Sequence, residues 1–193
     1  MNFSENLYFC SPPFLQNLMI SAFGHRLYQK RYKGLYYEIR NELENIRKFS
    51  ESEIKAFQDE RLNKMIVYCA NQIPYYQQLF SEYGLCPNDI TRIEDLKKLP
   101  ILNKQTILEL EHNFRSKNTI KPFMIQRTSG STGTPLALQV DEYTYKLAMA
   151  LLVDHEEIHG VSFGAKRATF AGRMLKLAGD MKPPFSRFNR AEN

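Results

Sequence analysis

Between Thr128 and Pro135 the chain reads Thr-Ser-Gly-Ser-Thr-Gly-Thr-Pro, a set of residue types that can hold a polyphosphate. Hydroxyls at Thr128, Ser129, Ser131, Thr132 and Thr134 supply donors that rotate to meet phosphate oxygens. Gly130 and Gly133 let the backbone take positive φ and come close to an anion, so that several N–H groups can converge on it. Each hydrogen bond to a charged acceptor contributes about 1.5–3 kcal/mol, and three or four would hold a triphosphate tail. An ordinary Ser/Thr/Gly turn is the plainer alternative. The run is longer and denser in donors than a hairpin turn requires.

The segment is not a Walker-type loop, which needs a lysine directly after its second glycine and a helix starting there. Thr134 and Pro135 follow Gly133, and the nearest lysines are Lys121 and Lys146. Phe123 to Arg127 leads in. Leu136 to Val140 leads out, with apolar residues alternating at 136, 138 and 140. Period-two alternation predicts a strand, and so a phosphate loop slung between two strands. Arg127 either adds charge at the rim of that loop or forms a surface pair.

The Thr128–Pro135 signature resembles the phosphate-binding loop of the adenylate-forming superfamily, and within it the phenylacetate–CoA ligase-like group with its capsular polysaccharide biosynthesis branch. Further blocks are similar to that group in order and spacing. They are Pro12-Pro13-Phe14-Leu15-Gln16-Asn17, Phe57-Gln58-Asp59-Glu60-Arg61-Leu62, Ile73-Pro74-Tyr75-Tyr76, and Leu96-Lys97-Lys98-Leu99-Pro100-Ile101-Leu102. Ala171-Gly172-Arg173 and Pro183-Pro184-Phe185 extend the likeness almost to the end.

The resemblance implies ATP and Mg²⁺, with CoA as the candidate thiol co-substrate and a small-molecule carboxylate as the acid. Thr128, Ser129, Gly130, Ser131, Thr132, Gly133 and Thr134 would bind the nucleotide. It also implies an N-terminal fragment, inactive alone. Group members are considerably longer, and their later motifs, ribose aspartate, hinge and C-terminal lysine have no counterpart here. No catalytic residue and no metal ligand is assigned within the chain, and the missing C-terminal half becomes its expected partner. The expected fold is α+β, the first portion of an α/β nucleotide-binding domain. Residues 1–55 form a helical extension, and 56–193 begin the large N-terminal domain with the first strands of an incomplete sheet. The contrasting reading is a non-catalytic remnant or interaction module with weak or no nucleotide binding.

Composition agrees with a folded chain: of 193 residues, 43% are hydrophobic and 24% charged. Cys10, Cys69 and Cys86 are odd in number and lack C-x-x-C spacing, which favours a reducing compartment. No apolar run is long enough for a membrane span, and a signal peptide is not apparent, so cytoplasmic action is expected. The net charge of +5 sits at the end of the chain, where seven basic and two acidic residues follow from Lys166 onward. These basic residues show no nucleic-acid motif with interleaved aromatics.

The positioning elements are mostly helical. Ser11 with Pro12 and Pro13 predicts a helix start, and Phe14, Leu15, Leu18, Met19, Ala22 and Phe23 share one face. His25, Arg26, Lys30, Arg31 and Lys33 follow with no acidic residue among them. That makes residues 12–33 either a helix packed on its own domain or a peripheral membrane contact.

Ser50/Glu53 and Thr91/Glu94 read as capping boxes. Leu62, Met65, Ile66, Cys69, Ala70 and Ile73 mark an amphipathic helix in which Cys69 is core. Gly84 and Gly160 read as helix ends, Asn103 and Asp141 as N-caps, and Ala165–Phe170 as a strand. His155-Glu156-Glu157-Ile158-His159 matches the zincin letters H-E-x-x-H, but no histidine follows to supply a third ligand. An ordinary packing helix is the preferred reading there.

Overall fold

The first two-thirds of the chain is helix-forming sequence punctuated by prolines and caps, and helices fill it. The computed structural model describes residues 3–118, 121–128, 135–170, 174–177 and 179–192. In chain order these form α1 (Phe3–Cys10), α2 (Pro13–Tyr32), α3 (Leu35–Ile46), α4 (Glu51–Gln72), α5 (Pro74–Glu82) and α6 (Lys104–Glu109). A hairpin of β1 (Met124–Arg127) and β2 (Ala137–Val140) follows, and then α7 (Glu142–Ile158). The order is α+β, as expected. Two units result: Met1–Asn41 with Glu142–Asn193, and Glu42–Asp141.

The Glu42–Asp141 unit is organised by α4. Its N-terminus carries the expected capping box: Ser50 N donates to Glu53 Oε2 at 2.8 Å, and Glu53 N donates to Ser50 Oγ at 3.4 Å. The Ser50 hydroxyl first, then its N–H, holds the Glu53 carboxyl below the usual range. Leu62 and Ile66 turn inward against Phe80 of α5 and the fully buried Ile90, with Ala70, Tyr76, Leu85 and Leu99 around them. Cys69 is half-buried, and burial pushes its thiol up, away from the thiolate a nucleophile needs. Met65 departs from the expected stripe and is exposed.

Pro74 opens α5, where the missing N–H costs nothing, and Gly84 follows it with φ +61°. Asn103 caps α6 by accepting from Thr106 N at 2.9 Å. The second capping box belongs to other residues than the sequence indicated. Asp95, not Glu94, accepts from Thr91 N and Arg92 N at 3.1 Å each. Glu94 reaches Lys55 at 3.3 Å instead. The segment Ile93–Lys98 is a 3-10 helix starting at Arg92, which moves the reciprocal carboxylate on by one residue.

In the other unit, Ser11 does not cap α2; its Oγ donates to Leu7 O at 2.6 Å, closing α1. No periodicity in residues 3–10 marked α1 in advance. Along α2 the polar flank is the covered one. Gln16 is buried, donating to Tyr8 O at 2.9 Å and accepting from Arg187 Nε. Asn17 Oδ1 receives Phe188 N at 3.0 Å, and Ser21 Oγ receives Arg190 N at 3.1 Å. Gly24 lies so close to Asn189 that an added Cβ would collide with its side-chain oxygen.

α7 buries Tyr145, Ala150 and Val153, and α3 buries Tyr36 and Ile39. Burial pushes the Tyr36 phenol up to about 12. Residues 165–170 are not a strand. They have no ladder partner among the described residues, and Phe170 is 98% exposed.

Candidate functional site

The two strands expected on either side of the candidate loop are present. β1 and β2 pair antiparallel in the register Met124 with Val140, Ile125 with Gln139, Gln126 with Leu138 and Arg127 with Ala137. Alternating apolar residues on β2 make the pairing possible, and Pro135 ahead of Leu136 keeps the returning chain extended.

Beyond the last ladder pair two more bonds close the neck of the loop. Thr128 N donates to Leu136 O at 3.1 Å, and Leu136 N donates to Thr128 Oγ1 at 2.9 Å. The chain therefore leaves and returns at one point. Ser129, Gly130, Ser131, Thr132, Gly133 and Thr134 lie outside the described residues, as do Ala171, Gly172 and Arg173.

Thr128 is thus brought to the neck. Its oxygen accepts from the Leu136 backbone, and a hydroxyl that accepts in this way still carries an O–H able to donate. Replacing Thr128 by valine is expected to raise amide exchange at Leu136 about five-fold, since a net hydrogen bond is worth about 1 kcal/mol. Thr128→Ser should keep the protection. Hydrogen exchange followed by NMR reads both, and unchanged protection in the valine variant would refute the neck role.

Arg127 is exposed at the end of β1, next to the loop. Its charge helps hold the Glu111 carboxyl below the usual range, although the hydrogen bond from Arg115 is the main cause. Lys146 is committed elsewhere. It is buried, its Nζ donates to Lys33 O at 2.6 Å at the end of α2, and it pairs with Glu142 at 2.6 Å. An ammonium there also meets the negative end of the helix dipole. No local pattern in the sequence signals that role, because Lys33 and Lys146 are far apart in the chain.

The H-E-x-x-H letters are not laid out as a metal site. α7 ends at Ile158, His159 Nδ1 sits 2.8 Å from His155 O, and the two rings are 4.3 Å apart. Glu156 receives both Arg167 guanidinium nitrogens at 3.0 and 3.2 Å. Glu157 pairs with Arg40. A separate cleft of about 180 Å³ is lined by Tyr28, Tyr32, Phe163 and Arg167. Nothing in the sequence marked it, since its aromatic walls come from α2 and from the loop after α7.

Comparison with known proteins bears out the likeness read from the motifs. The chain is 27% identical to Protein CapK of Staphylococcus aureus over 187 residues, which is 97% of this chain and 40% of that protein. It is 31% identical to the phenylacetate-coenzyme A ligase of Aromatoleum evansii over 98 residues, 49% of this chain and 22% of that one. The phenylacetate-coenzyme A ligase of Thermus thermophilus is 30% identical over 84 residues, 42% of this chain and 19% of its own length. No family model matches. The chain spans less than half the length of the curated relatives it matches.

Proposed function

We propose that this chain carries the ATP phosphate-gripping part of a carboxylate-activating, acyl-adenylate-forming enzyme of the CoA-ligase kind, in the capsular branch of that group. The observation that carries the reading is the Thr128–Pro135 segment, rich in hydroxyls and glycine, slung between two antiparallel strands whose ends are bonded together. Similarity to Protein CapK over nearly the whole chain supports it, as do the relatives named for joining phenylacetate to coenzyme A.

In this reading a substrate carboxylate oxygen attacks the α-phosphorus of ATP. The new O–P bond forms as the bond to the bridging oxygen breaks, and pyrophosphate leaves with the electron pair. Residues 128–134 hold the β- and γ-phosphates before and during that departure, so charge growing on the leaving group meets donors already in place. Thr128 fixes the neck and offers its O–H, Ser129, Ser131, Thr132 and Thr134 add hydroxyls, and Gly130 and Gly133 admit the phosphates to the main-chain amides. Arg127 adds positive charge at the rim. A thiol, CoA by analogy, then displaces AMP from the acyl carbon.

Among the described residues no three His, Cys, Asp or Glu side chains cluster as metal ligands. Mg²⁺ would therefore reach this chain on the phosphate oxygens of ATP, where it supplies charge neutralisation. The acid, CoA, the remaining length of the protein as partner, and a cytoplasmic setting where ATP is plentiful all belong to this proposal.

Equilibrium dialysis of the 193-residue chain with Mg-ATP tests it. Saturable binding is expected, displaced by pyrophosphate, with no acyl-adenylate formed by the chain alone. Absence of nucleotide binding would leave the contrasting reading, an interaction module.

A further inference from the structure

The outer side of α2 is built the wrong way round for a helix that only packs on its own unit. Phe14, Leu18, Ala22 and Arg26 recur every four residues and so form one ridge, and all four are exposed. Phe14 is 69% exposed, Leu18 64% and Phe23 56%, and Leu7 of α1 is exposed beside them in sequence. The side chains that α2 turns inward include Gln16, Asn17 and Ser21, whose hydrogen bonds to Tyr8, Arg187, Phe188 and Arg190 hold that flank in place. The covered side of the helix is mixed, with buried Gln16 beside half-buried Ile20 and Leu27, while Phe14 and Leu18 are left outside.

The charge pattern says what such a row meets. From Asn6 to Tyr37 there is no acidic residue, while Arg26, Lys30, Arg31 and Lys33 gather in the last turns of α2 and just beyond, Arg31 being paired with Glu192 at 2.7 Å. Arg26 continues the apolar ridge, and Lys33 is exposed at the helix end. The ridge therefore runs from large apolar side chains to basic ones along a helix of 20 residues, about 30 Å long. A convex ridge of this kind sinks into a yielding acyl layer, whereas a protein partner would have to offer a matching groove. No helix among the described residues is long and apolar enough to cross a membrane, so the geometry is that of a helix lying flat.

We infer that the outer face of α2 docks the chain on an anionic lipid surface, with Phe14 and Leu18 entering the acyl boundary and Arg26 and Lys33 meeting headgroup phosphates. This site is separate from the nucleotide loop and stands whether or not that loop binds ATP.

Co-sedimentation with vesicles of phosphatidylserine and phosphatidylcholine, against vesicles of phosphatidylcholine alone, tests it on the whole chain. Binding is expected only to the anionic vesicles and is expected to fall with added salt. Each basic residue at an anionic surface strengthens binding about five-fold, so Arg26→Glu with Lys33→Glu should weaken it at least 25-fold, an order-of-magnitude figure. Phe14→Asp with Leu18→Asp should weaken it more than about 100-fold, because the apolar insertion is lost. Both pairs are exposed, and circular dichroism verifies that the helices remain.

Met65→Asp, an exposed apolar position on α4, should bind like the parent chain. Equal binding to neutral vesicles, or undiminished binding by the Phe14/Leu18 variant, would overturn the inference. So would a dimer in sedimentation velocity that the same variant dissolves, since the face would then belong to a second copy.

Discussion

Gly133→Val is expected to abolish Mg-ATP binding by this chain, lowering affinity by at least about 100-fold. The argument rests on what a phosphate loop needs. A bare α-carbon lets a phosphate oxygen come within hydrogen-bond reach of successive main-chain amides, and a β-branched side chain stands where that oxygen must pass. Losing two charge-assisted bonds of about 1.5–3 kcal/mol each accounts for a fall of that size. Ser131→Ala removes one hydroxyl and leaves the backbone open, so it should cost only about ten-fold.

Both variants lie beyond the neck formed by Thr128 and Leu136, so the helical secondary structure should be unchanged in far-ultraviolet circular dichroism. The ordering of the two effects matters as much as their size. Equal and small losses would mean that the loop touches nucleotide through side chains alone. Unchanged affinity in the valine variant would remove the loop from the nucleotide site altogether.

The parts of this architecture that could be read in advance are those whose signal is local. β2 announced itself by alternation at Leu136, Leu138 and Val140, and the start of α4 by a hydroxyl and a glutamate three residues apart. Asn103 and Gly84 likewise carry their reason in their own chemistry.

Positions that misled did so where a distant partner decided the outcome. Periodicity finds the apolar face of α2 correctly, but it does not say which way that face turns. Residues 187–190 settle this by bonding Gln16, Asn17 and Ser21 on the other flank. Ala165–Phe170 has strand-like composition without a neighbouring strand to complete the ladder. Thr91 failed as a cap by one position because the following turn is 3-10 and not α. The strand pair that flanks the candidate loop was legible as a topology, whereas the use of Thr128 as a clasp became visible only with Leu136 opposite it.

The second large effect concerns stability, and it follows from an ion cluster that no sequence motif marks. Arg40 of α3 bonds Asp154 Oδ1 at 3.3 Å and Ala150 O at 3.5 Å, and it also pairs with Glu157. The Arg40 side chain is 16% exposed and that of Asp154 15%, so both charges have given up most of their water. Such an assembly contributes little compared with a well-packed apolar replacement, because desolvating the ions offsets their attraction. Breaking it from one side is different. Arg40→Met takes one cationic partner from the Asp154 carboxylate, which is 15% exposed and shares that guanidinium with Glu157. A loss of about 3 kcal/mol is expected, which for a chain of this size lowers the melting temperature by roughly 6–12 °C.

Arg40→Met with Asp154→Leu and Glu157→Gln removes both carboxylate charges together with the guanidinium, and should recover most of that loss. Thermal unfolding of the three proteins distinguishes the cases. If the triple variant were as unstable as the single one, the cluster would be acting through the shape of the guanidinium and its bond to the Ala150 carbonyl, and not through charge. If the single variant melted with the parent, the cluster would have no hold on α3 and α7. The prediction separates these outcomes because α3 and α7 each place their charged residues on a flank whose neighbours, Ile39 and Val153, are almost wholly buried.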